Sequence, residues 1–328
     1  MALVSVLLPN YNNALYLTDC LTSLCNQTFK DFDVFFIDDC SKDNSISIAE
    51  TFTMLDLKII RKDANTGIVD TMNEGLKRIS SKYIVRMDGD DISTPERFQM
   101  LVDFMETHPE IGVCSSDIET FGATKEKWIF ERDPKMNQAK LIFGHGIGHA
   151  SSIFRTKVLK ENCIQYVDKF WRLEDYYLFY SLKKLTLTTS IPGFYYRYRI
   201  ENYNNNPEIW EKKKIAYKRF YEMIFSDLKL PIDEKALEIH LQLNGLTPVT
   251  YNLKEYQRHR LALISSNEAS GVFPKNELQR VLDQALTKTC FKLIALKKVS
   301  FFNLISYFAK DKSLFRYYLS VRWFGRGK

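Results

Sequence analysis

Four short apolar runs near the start of the chain each break off into a polar cluster, and this pattern constrains the fold more than any other feature. Leu3–Pro9 leads into Asn10-Tyr11-Asn12, and Val34–Asp38 leads into Asp39-Cys40-Ser41. Leu57–Arg61 is followed shortly by Asn65-Thr66-Gly67, and Tyr83–Met87 leads into Asp88-Gly89-Asp90-Asp91. Runs this short and without polar alternation are those of strands covered on both faces. Between them, Leu17, Cys20, Leu21 and Leu24 recur at helical spacing, as do Ile68, Met72, Leu76 and Ile79. Phe98, Leu101, Val102 and Met105 do so after Thr94-Pro95, read as an N-cap and first helical residue. With a further strand at Gly112–Ser115, the repeated βα units predict an α/β chain with a mostly parallel sheet flanked by helices. Ligands of such sheets bind beyond the carboxyl ends of the strands, where the four clusters fall.

Downstream, Gly144–His149 reads as a loop and Ser151–Phe154 as a strand. Glu174–Lys184 reads as a helix, and Thr186–Ser190 and Phe194–Arg199 as two strands. The polar run Glu201–Pro207 marks a boundary between a domain over 1–206 and a helical region over 207–328. In the latter Glu208–Phe225, Glu234–Leu243, Leu253–Ser266 and Glu277–Thr287 carry helical patterns.

Three carboxylates within four residues repel one another unless a cation relieves them. Asp88, Asp90 and Asp91 are therefore candidates for holding Mn²⁺ or Mg²⁺, hard cations that share their shell with phosphate oxygens. The bland alternative is a solvated turn with a helix cap. At the second strand end Asp39 is a candidate acceptor for a nucleobase N–H, with Tyr11 to stack on the base and Asn65 and Gly67 to form a tight turn beside it. Arg61 and Arg86 are candidates for phosphate neutralisation, or surface ion pairs. Glu174-Asp175 opens a helix after the aromatic stretch Tyr166…Phe170-Trp171. Acids there complement the helix dipole, or one of them serves as a general base for an acceptor hydroxyl, with Trp171 as a floor for a sugar ring. Gly144-x-Gly146-x-Gly148 has the wrong spacing for a dinucleotide loop and follows no buried strand. His145 and His149 lack Cys/His partners for zinc and are read as hydrogen-bonding to backbone.

In this order the clusters resemble family 2 glycosyltransferases of the GT-A fold. The resemblance runs through Val4–Asn12, Ser23–Phe29, Ile37–Ser41, Asn65–Gly67, Asn73-Glu74-Gly75, Tyr83–Asp91, His149–Arg155 and Glu174-Asp175. Within the family the chain is similar to bacterial enzymes that extend lipooligosaccharide, capsule or O-antigen glycans. The resemblance implies an inverting transfer from a nucleotide sugar, most often a UDP-sugar, held along Pro9, Tyr11, Asp39, Asn65, Gly67, Arg86 and Asp88. It implies Asp90 and Asp88 as ligands of Mn²⁺ or Mg²⁺, Asp175 as the base, and His149, Trp171, Glu174 and Asp91 around the acceptor or behind the site. Relatives often carry Tyr-Arg-x-His where this chain has Tyr198-Arg199-Ile200-Glu201, so Arg199 or Arg197 inherits diphosphate neutralisation. Processive synthases carry Gln-x-x-Arg-Trp; Arg322-Trp323 occurs here with Leu319 in place of glutamine, pointing to addition of one sugar.

Other classes fit less well. A sugar-nucleotide nucleotidyltransferase calls for a Gly-rich basic loop where Asn10-Tyr11-Asn12-Asn13 stands, and a glycan-binding protein without turnover has no use for Asp88, Asp90 and Asp175 together. Six cysteines at irregular spacing read as buried thiols in a reducing cytosol. Residues 289–328 hold nine Lys/Arg against one acid, Asp311, and so account for the whole formal charge of +6. The remaining body is slightly acidic, which argues against nucleic acid as a partner. Phe301, Phe302, Leu304, Ile305, Tyr307 and Phe308 among those basic residues read either as an interfacial segment on an anionic membrane or as helical core. The expected location is cytoplasmic, peripheral to the inner membrane, with a glycan or lipid-linked glycan as acceptor.

Overall fold

The computed structural model describes residues 2–201 and 207–299. The four apolar runs form β1 (Val4–Asn10), β2 (Phe32–Asp38), β3 (Leu57–Arg61) and β4 (Tyr83–Arg86), all parallel in the order β3-β2-β1-β4. In-register pairing sets Asn10 beside Asp38, and Asp38 beside Arg61, so their carboxyl ends align along one edge. The sheet then turns mixed. β8 (Ile153–Arg155) is antiparallel to β4 and to the long β6 (Ile111–Gly122), and β9 (Leu187–Ile200) runs parallel to β6. Short antiparallel strands, β5 (Ile92–Ser93) on β9 and β7 (Lys127–Trp128) on β6, complete it.

The core lies where the sequence periodicities meet. Val4, Val6 and Leu8 of β1 pack with Leu17, Cys20, Leu21 and Leu24 of α1 (Ala14–Cys25). Phe98, Leu101, Val102 and Met105 of α4 (Arg97–Thr107) join the same cluster. Four local expectations need correction. Helix α4 begins two residues beyond Pro95, because the Gln27 side chain, not Thr94, caps it by accepting from the Phe98 N–H (3.2 Å). Ile68, at the start of α3 (Ile68–Arg78), is 43% exposed and lines a cavity instead of joining the core. The two strands expected over 186–190 and 194–199 are one strand that begins at Leu187. Ser116 pairs with Ile191 and Asp117 with Phe194, so Pro192-Gly193 is accommodated as a bulge, with Gly193 at φ 119°. A proline without an N–H interrupts a ladder least at such a position. Finally, all six cysteines are free, but only Cys20, Cys114 and Cys290 are buried as expected; Cys25 and Cys40 are half-buried and Cys163 is exposed.

The chain divides into two compact units, residues 1–141 with 145–209, and residues 142–144 with 210–328. The second is built from α8 (Pro207–Asp227), α9 (Glu234–Leu243), α10 (Leu253–Ser270) and α11 (Lys275–Ala295). A capping box at Asn252 and Glu255 starts α10, and left-handed Gly271 ends it. Inside this unit the carbonyls of Ile142 and Phe143 accept from His240, Tyr221 and Asn244. Arg260 and Asp283 form a buried ion pair. No helix among the described residues is long and apolar enough to cross a membrane. The basic aromatic segment 300–328 and residues 202–206 of the expected boundary lie outside the described residues.

Candidate active site

Parallel strand ends converge on a cavity of about 570 Å³. Pro9, Asn10, Tyr11 and Asn13 line it from the end of β1, Asp39 from the end of β2, and Asn65, Gly67, Ile68 and Thr71 from the start of α3. Arg86, Asp88, Gly89 and Asp90 close it at the end of β4. Tyr11 is half exposed, so a face of its ring is available to a planar ligand. Asp39 is more committed than expected. One carboxylate oxygen accepts from the Thr66 N–H (3.0 Å) and Lys62 Nζ (2.6 Å), and the other from the Gly67 N–H (2.9 Å). Burial pushes Asp39 up, and these three donors together hold it below the usual carboxylate range. Its second oxygen retains a lone pair for a ligand donor. Gly67 sits at φ 90°, where a side chain is strained, and this lets the turn place its N–H on Asp39.

The acidic run divides by environment. Carboxylate oxygens of Asp88, Asp90 and Asp91 lie within 4.8 Å of one another. Asp91 is buried, with one oxygen accepting from the Tyr196 hydroxyl (2.7 Å) and the other from the Arg199 N–H (2.7 Å). These bonds tie the run to β9. Asp88 is paired with Arg86. Burial and then the neighbouring Asp88 charge push Asp90 up to about 6. Crowded carboxylates with oxygens facing a cavity fit a hard divalent cation, and Asp90 with Asp88 supplies that donor set better than Asp91.

Arg86, Asp88 and Tyr198 also line a second cavity of about 420 Å³. Its other walls include Trp128, Phe130, His145, His149, Glu174 and Asp175. Asp175 lies in the first turn of α7 (Glu174–Leu182). One oxygen accepts from the Tyr176 N–H (2.7 Å), and the other lies 3.1 Å from His145 Nε2. His149 Nε2 bonds the Tyr166 hydroxyl (2.8 Å). Burial, then the Arg86 charge, lowers His149 to about 3, so its ring is neutral. Burial and the adjacent Asp175 charge raise Glu174.

Three expected residues, Asp91, Trp171 and Arg199, line neither cavity. Trp171 stacks with the Arg172 guanidinium; the aromatic walls of the second cavity are Trp128, Phe130 and Tyr198. Arg199 has its guanidinium over Tyr16 (4.0 Å) and Phe121 (4.4 Å) and donates through Nε to the Asp90 carbonyl (2.9 Å). It braces the acidic loop, and Arg86 is the cation common to both cavities. Glu201, at the position of the relatives' histidine, accepts from the Tyr16 hydroxyl (2.6 Å). Trp128 gave no sequence signal, because it reaches the cavity only through β7 pairing with β6.

The mixed α/β sheet thus carries, at the ends of its parallel strands, a cavity that shares Arg86, Asp88 and Tyr198 with a second one. Residues 5–162 match the family described as Glycosyl transferase family 2. An uncharacterized glycosyltransferase of Haemophilus influenzae is 30% identical over 190 residues, covering 54% of this chain and 68% of the relative. Among solved structures, S. aureus TarS in complex with UDP-GlcNAc superposes with a TM-score of 0.57 at 19% identity, over 88% of this chain and 87% of that one. The mannosyltransferase PcManGT from Pyrobaculum calidifontis, in complex with GDP-Man and Mn²⁺, gives a TM-score of 0.54 at 14% identity over 88% of this chain and 87% of that one. The chain belongs to glycosyltransferase family 2 and is a glycosyltransferase.

Proposed function

We propose that the enzyme transfers one sugar, with inversion, from a nucleotide sugar to a hydroxyl of a glycan acceptor, with Mn²⁺ or Mg²⁺ at Asp90 and Asp88. The observation that carries this reading is that the cavity ending at Asp88 and Asp90 shares Arg86, Asp88 and Tyr198 with the cavity that contains Asp175. Inversion needs such an arrangement, a leaving group on one side of the anomeric carbon and a base on the other. The donor's base stacks on Tyr11 and donates to Asp39, beside Pro9, Asn65 and Gly67, and a UDP-sugar is the donor we favour. Arg86 faces the diphosphate. Asp90 and Asp88 would hold the cation, which would supply positive charge against the leaving diphosphate oxygens. The acceptor oxygen attacks the anomeric carbon as Asp175 takes its proton, giving a β-linkage from an α-linked D-sugar donor. Trp128, Phe130 and Tyr198 offer apolar faces to the acceptor, and His149 and Glu174 bound the same cavity.

The nucleotide-sugar donor is supported by the UDP-GlcNAc and GDP-Man bound to the structural neighbours. The acceptor class we favour is a bacterial surface polysaccharide, lipooligosaccharide or capsule; an amylovoran biosynthesis glycosyltransferase of Erwinia amylovora, 33% identical over 121 residues that cover 36% of this chain and 46% of the relative, supports a polysaccharide product only in that general sense. Residues 1–206 are the transferase domain in this reading, and 207–328 the helical region that accompanies it. The test is a thermal-shift screen of nucleotide sugars with and without Mn²⁺, followed by turnover of the one that binds. Asp90→Ala is expected to lose metal-dependent donor stabilisation. Asp175→Asn is expected to keep it while transfer falls by orders of magnitude. Transfer by Asp175→Asn at the wild-type rate would refute the base assignment.

A further inference from the structure

The loop from Gly144 to His149 contributes to the second cavity a histidine that the family resemblance does not use. Two of its glycines, Gly146 and Gly148, are packing positions. A Cβ at Gly146 would meet Asn137 Oδ1 at 2.3 Å, and one at Gly148 would meet Ser151 Oγ at 2.6 Å and the Phe130 ring at 2.8 Å. The Gly146 carbonyl accepts from the Glu131 N–H (2.9 Å), and the Gly148 N–H donates to Ser115 Oγ (3.1 Å). The loop is therefore fixed on both sides of Ile147, and with it the His145 ring.

That ring bridges two acceptors. Nδ1 lies 2.8 Å from the Ile147 carbonyl oxygen, and Nε2 lies 3.1 Å from Asp175 Oδ2. A carbonyl only accepts, so Nδ1 carries hydrogen, and a carboxylate only accepts, so Nε2 must carry one too. Satisfying both bonds takes one proton more than a neutral imidazole and a carboxylate hold between them.

We propose that His145 and Asp175 share this proton and that the pair, not Asp175 alone, is the base that receives the acceptor's proton; the proposal rests on the reading of Asp175 as base. In the competent form the pair lacks the shared proton. As the acceptor O–H breaks and its oxygen bonds the anomeric carbon, the bond from that carbon to the diphosphate oxygen breaks with its electrons. The released proton lodges between Asp175 Oδ2 and His145 Nε2, the arrangement the two bonds already fit. It leaves afterwards to water, since the His145 and Asp175 side chains are 25% and 30% exposed.

The surrounding charges agree with this assignment. Burial is the largest influence on Asp175 and raises it, but the His145 charge and hydrogen bond, with smaller help from His149 and the Tyr176 N–H, together hold the carboxyl below the usual range. A carboxylate so held is a poor base, and it recovers basicity when the pair gives up the proton. Among the described residues, the titratable and charged groups that border this cavity or lie beside the pair include Arg86, Asp88, Glu174, His149, Tyr166, Arg172 and Tyr198. His149 is neutral against Tyr166 and does not compete for the proton.

The test is the pH dependence of kcat/KM for His145→Gln, whose amide still donates to Asp175 but does not titrate. The wild-type acidic limb is expected at or above the ordinary histidine value of about 6.5. In His145→Gln it is expected to move down by at least about one pH unit, toward a lone carboxylate, with kcat reduced and donor KM unchanged. An unmoved limb, or a change in KM alone, overturns the proposal. NMR of the His145 ring in the wild-type protein gives a second readout should His145→Gln fail to fold. Both ring nitrogens are expected to stay protonated above pH about 6.5, and to lose this in Asp175→Asn; a neutral ring overturns the proposal. If Asp175→Asn itself retains transfer, the base reading fails first. If it loses transfer while His145→Gln keeps the wild-type profile, only the pairing fails.

Discussion

Asp90 and Asp91 are adjacent, yet in the absence of metal their replacement is expected to change stability in opposite directions. Asp91 accepts from the Tyr196 hydroxyl and the Arg199 N–H and is 1% exposed. Asp91→Ala leaves both donors without a partner, at roughly 1–3 kcal/mol each; burial and the Asp88 and Asp90 charges also raise Asp91, which offsets part of this, so a net loss of at most about 6 kcal/mol is expected. Asp90 is pushed up to about 6 by burial and the Asp88 charge. A carboxyl whose folded value exceeds its unfolded value destabilises the native state once pH passes the unfolded value. Asp90→Asn relieves this at pH 7, and the rise from an ordinary aspartate value of about 4 sets an upper bound of about 3 kcal/mol of stabilisation. At about 2–4 °C per kcal/mol for a unit of this size, the two variants separate clearly in thermal unfolding followed by circular dichroism in EDTA. Adding Mn²⁺ with a nucleotide is expected to raise the melting temperature of Asp91→Ala and wild type but not of Asp90→Asn. A wild-type melting temperature for Asp91→Ala, or a lowered one for metal-free Asp90→Asn, would show that the two carboxylates do not have the roles assigned here.

Three further outcomes are expected. Trp128→Ala is expected to raise the acceptor KM about tenfold, the scale of one stacking contact, while UDP binding by calorimetry is unchanged; a higher donor KM instead would remove Trp128 from the acceptor side. In the helical unit, His240 accepts at Nδ1 from His259 while its Nε2–H donates to the Ile142 carbonyl, so both rings are neutral when folded. Burial lowers His259 to about 4 and His240 further, so urea stability is expected to be level above pH about 6.5 and to fall between there and pH 4 by about 3 kcal/mol for His259 alone. Equal stability at pH 8 and pH 5 would contradict this. Deleting residues 300–328 is expected to abolish binding to anionic vesicles while a soluble acceptor is still glycosylated, and undiminished vesicle binding would exclude the segment as the membrane contact.

Much of the first cavity was legible in the chain because its signals are local. An apolar run of β length ending in a polar cluster places that cluster at a strand's carboxyl end, and parallel register then gathers Asn10, Asp38 and Arg61 on one edge. Eight of the residues singled out for the donor and metal, Pro9, Tyr11, Asp39, Asn65, Gly67, Arg86, Asp88 and Asp90, line one cavity for that reason. The second cavity was much less legible. Trp171 sits beside Glu174 in sequence and stays out of the cavity, whereas Trp128, from a strand of two residues, forms part of its wall.

By itself, then, the sequence determined the parallel half of the sheet, the acidic run at the end of β4, and the carboxylate that opens α7, since period, run length and helix-start chemistry are properties of neighbouring residues. The tertiary structure alone decided what each of those carboxylates meets. Asp91 finds Tyr196 and Arg199 about a hundred residues away, and Asp175 finds His145 across a loop that two glycines hold in place. Hydrogen bonds over such separations follow from strand pairing and packing, and no periodicity in the chain encodes them.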